Sequence, residues 1–251
     1  MPHRDVPWPA GTPCWVDCSA ADVTAARAFY AGLFGWQYSG GGPELGGYLI
    51  ATLDARAVAG LMPRMSDQPP AWTTYFATDD AAATVSRAAA AGAIVLAEPM
   101  AVQELGTAAV LLDPQGHTFG LWEAGTFVGE QVFAEPGTVV WNEAAVEDPA
   151  AARAFYTEVF GFAWTEIPDS GGYCTFAVDD RPLGGLGAPA PDLPTGWTTC
   201  FAVESADEAV RQLESAGGKV LLPPEDSPYG RFAVGTDAWG APFSVMQETD
   251  G

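Results

Sequence analysis

The chain has 251 residues, 48% of them apolar, and ten Lys and Arg stand against 32 Asp and Glu for a formal charge of −22. Such acidity repels nucleic acid and anionic membrane, which excludes both as partners, and its simplest reading is solubility. No apolar run is long enough to span a bilayer, and the N-terminal MPHRDVPWPAGTP lacks the apolar core of an export signal, so a cytoplasmic protein is expected.

A strand is predicted from Cys14 to Cys18, followed by a helix that Asp22 caps and Gly35 stops. Ala26, Phe29, Tyr30, Leu33 and Phe34 recur along it at helical spacing. Three short strands are expected next, Trp36–Ser39, Tyr48–Leu53 and Ala57–Met62, separated by glycine-rich turns. A proline-rich break from Arg64 to Ala71 leads to another strand, Trp72–Thr78, then to a second helix ending at Gly92 and three further strands. The linker that follows these strands carries the apolar Phe127, Val128, Val132 and Phe133, which imply that it packs on the body.

The pattern then begins again. DVTAARAFYAGLFGW at 22–36 returns as DPAAARAFYTEVFGF at 148–162, and Trp72-Thr73-Thr74 returns as Trp197-Thr198-Thr199. Asp113-Pro114-Gln115-Gly116 is answered by Asp237-Ala238-Trp239-Gly240, so a whole fold unit is repeated. Asp148-Pro149 opens the third helix, and Ser205 with Glu208 forms a capping box for the fourth, which Gly217 ends. The expected domains are 10–124 and 137–249, joined by 125–136. Cys14, Cys18, Cys174 and Cys200 contain no CxxC pair and do not recur between halves. Cys14 and Cys18 lie roughly 13 Å apart on a strand, too far for one disulfide or one zinc, and all four read as buried thiols.

The "D…FY…LFG" helix, the "W-T-T-x-F-A" strand and the "DPQG" turn resemble the vicinal oxygen chelate superfamily, the glyoxalase, bleomycin-resistance protein and extradiol dioxygenase fold. The resemblance covers nearly the whole chain. It implies an α+β fold of two tandem domains, each a pair of βαβββ modules whose mixed sheet curls around a concave cavity. Catalytic members hold a divalent metal at three positions, which fall here on Trp15, Thr73 and Gly120 and, in the second half, on Trp141, Thr198 and Ser244. None suits a catalytic divalent ion, and His3 and His117 do not recur, so no metal and no cofactor are expected. The alternative is a metal-dependent glyoxalase, lyase or dioxygenase that uses displaced carboxylates, Asp17 and Glu143, as ligands.

Strand alternation lines the first cavity with Trp15, Asp17, Thr73, Tyr75, Thr118 and Trp122, with Tyr48 nearby. The second receives Trp141, Glu143, Thr198, Cys200, Ser244 and Met246, with Tyr173 nearby. Aromatic walls with one acid suit a planar, mostly apolar metabolite or antibiotic, and two readings stand: a protein that only binds or sequesters it, or an enzyme that transforms it without metal by isomerase, cyclase or lyase chemistry. Trp72 and Trp197, at strand starts, are expected to fill the cups. Asp17 and Glu143 are the catalytic candidates, since a carboxylate walled by indoles is poorly solvated and gains proton affinity. A structural carboxylate is the competing reading. Arg231 is placed at a pocket mouth, where it clamps an anionic group or pairs with a surface acid such as Glu225 or Asp226. Asn142 is expected to face outward. Gly40-Gly41-Gly42 is a turn, and no dinucleotide or phosphate fingerprint occurs. Two fused units make a monomer or a homodimer the expected state.

Overall fold

The computed structural model describes residues 3–64 and 69–248; residues 65–68 of the expected proline-rich break, and 249–251 where the second unit was expected to end, lie outside the described residues. The first module runs β1 (Pro13–Ala20), α1 (Val23–Phe34), β2 (Gln37–Gly40), β3 (Leu49–Leu53) and β4 (Arg56–Pro63). The second runs β5 (Ala71–Ala77), α2 (Ala81–Ala90), β6 (Ile94–Val102), β7 (Gly106–Leu112) and β8 (Thr118–Ala124). The third is β9 (Val139–Ala145), α3 (Pro149–Phe160), β10 (Ala163–Glu166), β11 (Cys174–Val178) and β12 (Arg181–Gly187). The fourth is β13 (Gly196–Ala202), α4 (Ala206–Ser215), β14 (Lys219–Ser227), β15 (Gly230–Thr236) and β16 (Pro242–Glu248).

Helix ends follow the side chains read from sequence. Asp22 and Asp148 each accept an N-terminal amide at 3.0 Å, and Ser205 accepts that of Glu208 at 3.3 Å. Gly35 and Gly161 close α1 and α3 in the left-handed region, which glycine enters without steric cost. Each half forms one eight-stranded mixed sheet, in the order β2-β3-β4-β1-β5-β8-β7-β6 and its counterpart β10-β11-β12-β9-β13-β16-β15-β14. The two modules of a half meet where β1 pairs antiparallel with β5, and β9 with β13.

The cores do not respect the halves. One buried cluster joins Tyr30, Phe34 and Trp36 of the first module to Phe201, Leu213 and Phe243 of the fourth. Another joins Phe76, Leu111 and Phe119 of the second module to Phe155, Tyr156 and Phe162 of the third. The seam between halves is therefore built twice, by modules one with four and two with three.

Polar groups in the seam are satisfied across it. Trp72 Nε1 donates to the Tyr30 hydroxyl at 3.1 Å, and that hydroxyl donates to Asp237 of the other half at 3.0 Å. Reciprocally, Trp197 Nε1 donates to Tyr156 at 2.8 Å and Tyr156 donates to Asp113 at 2.9 Å. Hydrogen bonds to a buried carboxylate contribute about 1.5–3 kcal/mol each, and an unsatisfied partner costs as much. Trp72 and Trp197 thus serve the seam and not the cups. Asn142, expected outside, is also buried there, because it sits on the face of β9 opposite Glu143; it accepts from Thr74 at 3.0 Å and Thr199 at 3.4 Å. His117 is buried beside Asp113, 3.4 Å from its carboxylate.

Candidate functional site in the two cups

Pleating turns Trp15 and Asp17 to one face of β1, away from the seam. Register then sets Trp15 opposite Tyr75, and Asp17 between Thr73 on β5 and Gly60 on β4. The second half repeats this, with Trp141 opposite Cys200 and Glu143 between Thr198 and Gly185. Gly120 lies beside Tyr75 and Ser244 beside Cys200, so the three positions that the resemblance assigns to metal ligands do share one face in each half.

On that face each half builds the same relay of three side chains. Trp15 Nε1 donates to the Tyr48 hydroxyl at 2.7 Å, which donates to Asp17 Oδ2 at 3.0 Å. Trp141 Nε1 donates to the Tyr173 hydroxyl at 2.9 Å, which donates to Glu143 Oε2 at 2.8 Å. Both tyrosines reach back from the residue just before a strand, and each lays its hydroxyl on a glycine. A Cβ at Gly60 would collide with the Tyr48 hydroxyl, and one at Gly185 with that of Tyr173. The sequence reading missed these glycines, although Tyr48 with Gly60 and Tyr173 with Gly185 recur at one offset and could have been found together.

Burial raises the Asp17 carboxyl to about 7, against the opposing hydrogen bonds from Tyr48 and, more weakly, Tyr75. Burial also raises Glu143, opposed by Tyr173. A carboxyl poised near neutrality is suited to accept or return a proton. Burial pushes the Cys200 thiol up to about 12 despite a hydrogen bond with Ser244, which keeps it a neutral thiol and not a nucleophile.

The cups differ above this common floor. In the first, Trp15, Asp17, Tyr75 and Trp122 are all buried, while Tyr48 and Thr73 are partly exposed. Tyr75 lies flat over Gly120, where a Cβ would strike its ring. The linker adds a ring from outside the cup: Phe127 packs edge-on against Trp15 at 4.9 Å and near Trp122 at 6.0 Å. Trp122 Nε1 holds the Phe127 carbonyl at 2.9 Å, and the Phe127 amide donates to Leu105 at 3.1 Å. In the second cup Cys200 and Met246 stand where the first has Tyr75 and Trp122. Trp141, Glu143, Tyr173 and Met246 are partly exposed there, over buried Thr198, Cys200 and Ser244.

Two residues expected at the cups sit elsewhere. Thr118, at the exposed start of β8, contributes no wall. Arg231 is held by Asp207 of α4 at 2.8 and 3.0 Å and by Asp226 at 3.0 Å, the pairing with surface acids that its setting favoured. A cavity of about 650 Å³ at that end of the second sheet is lined by Glu204, Asp226, Arg231 and Glu248, with no aromatic ring and its one cation already paired.

The donor set of neither cup fits a divalent metal. The three aligned positions carry indole, hydroxyl or hydrogen, and among the described residues no three His, Cys, Asp or Glu side chains converge. No helix among those residues is long and apolar enough to cross a membrane.

Comparison with known proteins agrees with the architecture. Residues 15–122 match the model of a glyoxalase-like domain, and 138–245 that of the glyoxalase/bleomycin resistance protein/dioxygenase superfamily. The chain is 37% identical to "Putative glyoxylase CFP32" of Mycobacterium tuberculosis over 98% of both chains. It is also 37% identical to the anthracycline biosynthesis protein DnrV of Streptomyces peucetius, covering 96% of this chain and 94% of that one. Among solved structures, the Mn(II)-bound glyoxalase from Novosphingobium aromaticivorans superposes with a TM-score of 0.69 at 16% identity, over 96% of this chain and 83% of its own. With two matched domains and near full-length relatives, the chain belongs to the glyoxalase/bleomycin resistance protein/dioxygenase superfamily.

Proposed function

We propose that the protein binds a planar, mostly apolar organic molecule in its concave cups and exchanges a proton with it through a buried carboxylate, without a metal ion. The observation that carries this reading is the relay from tryptophan to tyrosine to acid, placed on the face where the resemblance puts metal ligands. Indole faces supply stacking area, the tyrosine fixes the acid's orientation, and burial brings its proton affinity into the working range. The likeness to proteins named for anthracycline biosynthesis supports a fused-ring compound as the ligand class. Four buried thiols without a disulfide support a reducing, cytoplasmic setting, and the seam that pairs modules within one chain supports a monomer.

The test is a screen of hydroxylated fused-ring compounds for thermal stabilisation and for conversion by mass spectrometry. Glu143→Gln and Asp17→Asn separate the roles. Loss of turnover by about 10²–10⁴-fold in either variant, with binding within a few-fold of wild type, supports proton transfer. Binding without turnover in the unaltered protein would leave a sequestering protein. Stoichiometric manganese, iron, nickel or zinc in protein purified without chelator would overturn the metal-free reading in favour of displaced carboxylate ligands.

A further inference from the structure

The first half carries, in its own chain, an occupant for its cup. Phe127 comes from the linker and meets Trp15 at 4.9 Å with the rings at 89°, the edge-to-face geometry that aromatic pairs prefer. Tyr75 and Trp122 fill the space beside it. Two of these rings have no counterpart in the second half: Cys200 replaces Tyr75 and Met246 replaces Trp122. Phe232, opposite Met246, stands where the first cup has Ala108, and among the described residues no ring packs against Trp141. The relay beneath them is nonetheless complete, with Trp141, Tyr173 and Glu143 all partly open to solvent.

A tryptophan with one free face, a flexible methionine beside it and a tyrosine-held acid below make an incomplete aromatic cluster. Methionine adapts to a planar guest better than a fixed ring does, because it is unbranched and polarisable. Replacing Tyr75 and Trp122 with smaller or more flexible side chains while keeping the polar floor leaves Trp141 with room for a ring against it, between Met246 and the tyrosine-held acid.

Building on the proposed ligand class, we infer that the second cup alone is the binding site, and that the ligand seats an aromatic ring against Trp141 at the place Phe127 holds against Trp15. A hydroxyl or acidic carbon of that ligand faces Glu143 and Tyr173. The first cup is a sealed copy, occupied by the linker.

Titration with 1,8-dihydroxyanthraquinone, followed by tryptophan fluorescence and calorimetry, tests this on the intact chain. One equivalent is expected. Trp141→Ala weakens binding at least tenfold, and the variant Cys200→Tyr/Phe232→Ala/Ser244→Gly/Met246→Trp, which gives the second cup the first cup's rings and the small residues that seat them, abolishes it. Phe127→Ala keeps the original site at its original affinity. Circular dichroism and melting confirm that each variant folds. Two equivalents in the unaltered protein, or binding that survives the filled second cup, overturns the assignment while leaving the broader function standing. Benzene, followed by NMR, separates the two claims: if it binds in the second cup when the anthraquinone does not, the site survives and the polar part of the proposed ligand falls. If neither probe binds, both fall.

Discussion

At the seam the two halves share one hydrogen-bonded chain, with Asn142 and His117 as additions that only one half carries. Tyr30, Trp72 and Asp237 form the same hydrogen-bonded chain as Tyr156, Trp197 and Asp113, with each tyrosine answering an acid of the other half. In the cups they differ. The floors match, but the first cup is packed with Tyr75, Trp122 and Phe127, and the second presents Cys200, Met246 and Phe232 beside a partly exposed Trp141. The repeated words of the sequence therefore mark structure, and the copies disagree where the side chains line the cups. Duplicated elements that must fit each other are held alike by packing, whereas a cup facing solvent has no such partner.

The sharpest way to break this comparison is to alter the two acids. Asp17 is raised from 3.8 to about 7 on folding, so the unfolded chain releases this proton first as pH climbs. Stability from this group is complete below about pH 4 and is lost as pH rises to about 7, a difference of about 4 kcal/mol. Asp17→Asn should consequently be more stable than wild type at pH 8, by up to that amount, and the gap should close by pH 4. Denaturant titration across pH reads this directly. Glu143→Gln, in the more open cup, should give a smaller gain over the same range.

Next comes the seam, where the prediction is equality. Tyr30→Phe and Tyr156→Phe each leave an indole N–H and a buried carboxylate without their shared hydroxyl, at a cost of about 1–3 kcal/mol by chemical denaturation. Unequal costs would show that the seam, too, has diverged. The relay glycines should divide the halves again. Gly60→Ala forces Tyr48 against a sealed cup and should cost about 1–3 kcal/mol. Gly185→Ala should cost less, since Tyr173 can swing toward solvent, yet it should weaken ligand binding by breaking the relay. The smallest effect belongs to Arg231→Ala, which removes exposed ion pairs with Asp207 and Asp226 and should leave the denaturation midpoint nearly unchanged, the more so in high salt.

Much of this architecture can be read from the chain itself. Asp22, Gly35, Asp148-Pro149 and Ser205 announce helix ends because capping is local chemistry. Trp15, Asp17, Trp141 and Glu143 share a face because strands alternate, which requires no knowledge of the partner. What depends on distant packing was not legible. Nothing in the linker says that Phe127 enters the first cup, and the periodicity of β9 gives Asn142 a face without saying that a second sheet covers it. Trp72 and Trp197 escape a sequence reading for the same reason, since a place at a strand start does not tell the seam from the cup. Arg231 is intermediate: its sequence neighbour Asp226 was visible, but Asp207 is brought to it only by α4.

The crossing of the cores, first module with fourth and second with third, also bears on what the chain would do if severed within its linker. Neither fragment would own a finished interior. Each would expose Tyr30 and Phe34, or Tyr156 and Phe155, to water until its mate arrived, so the pieces should reassemble as an obligate pair and neither should persist as a free domain.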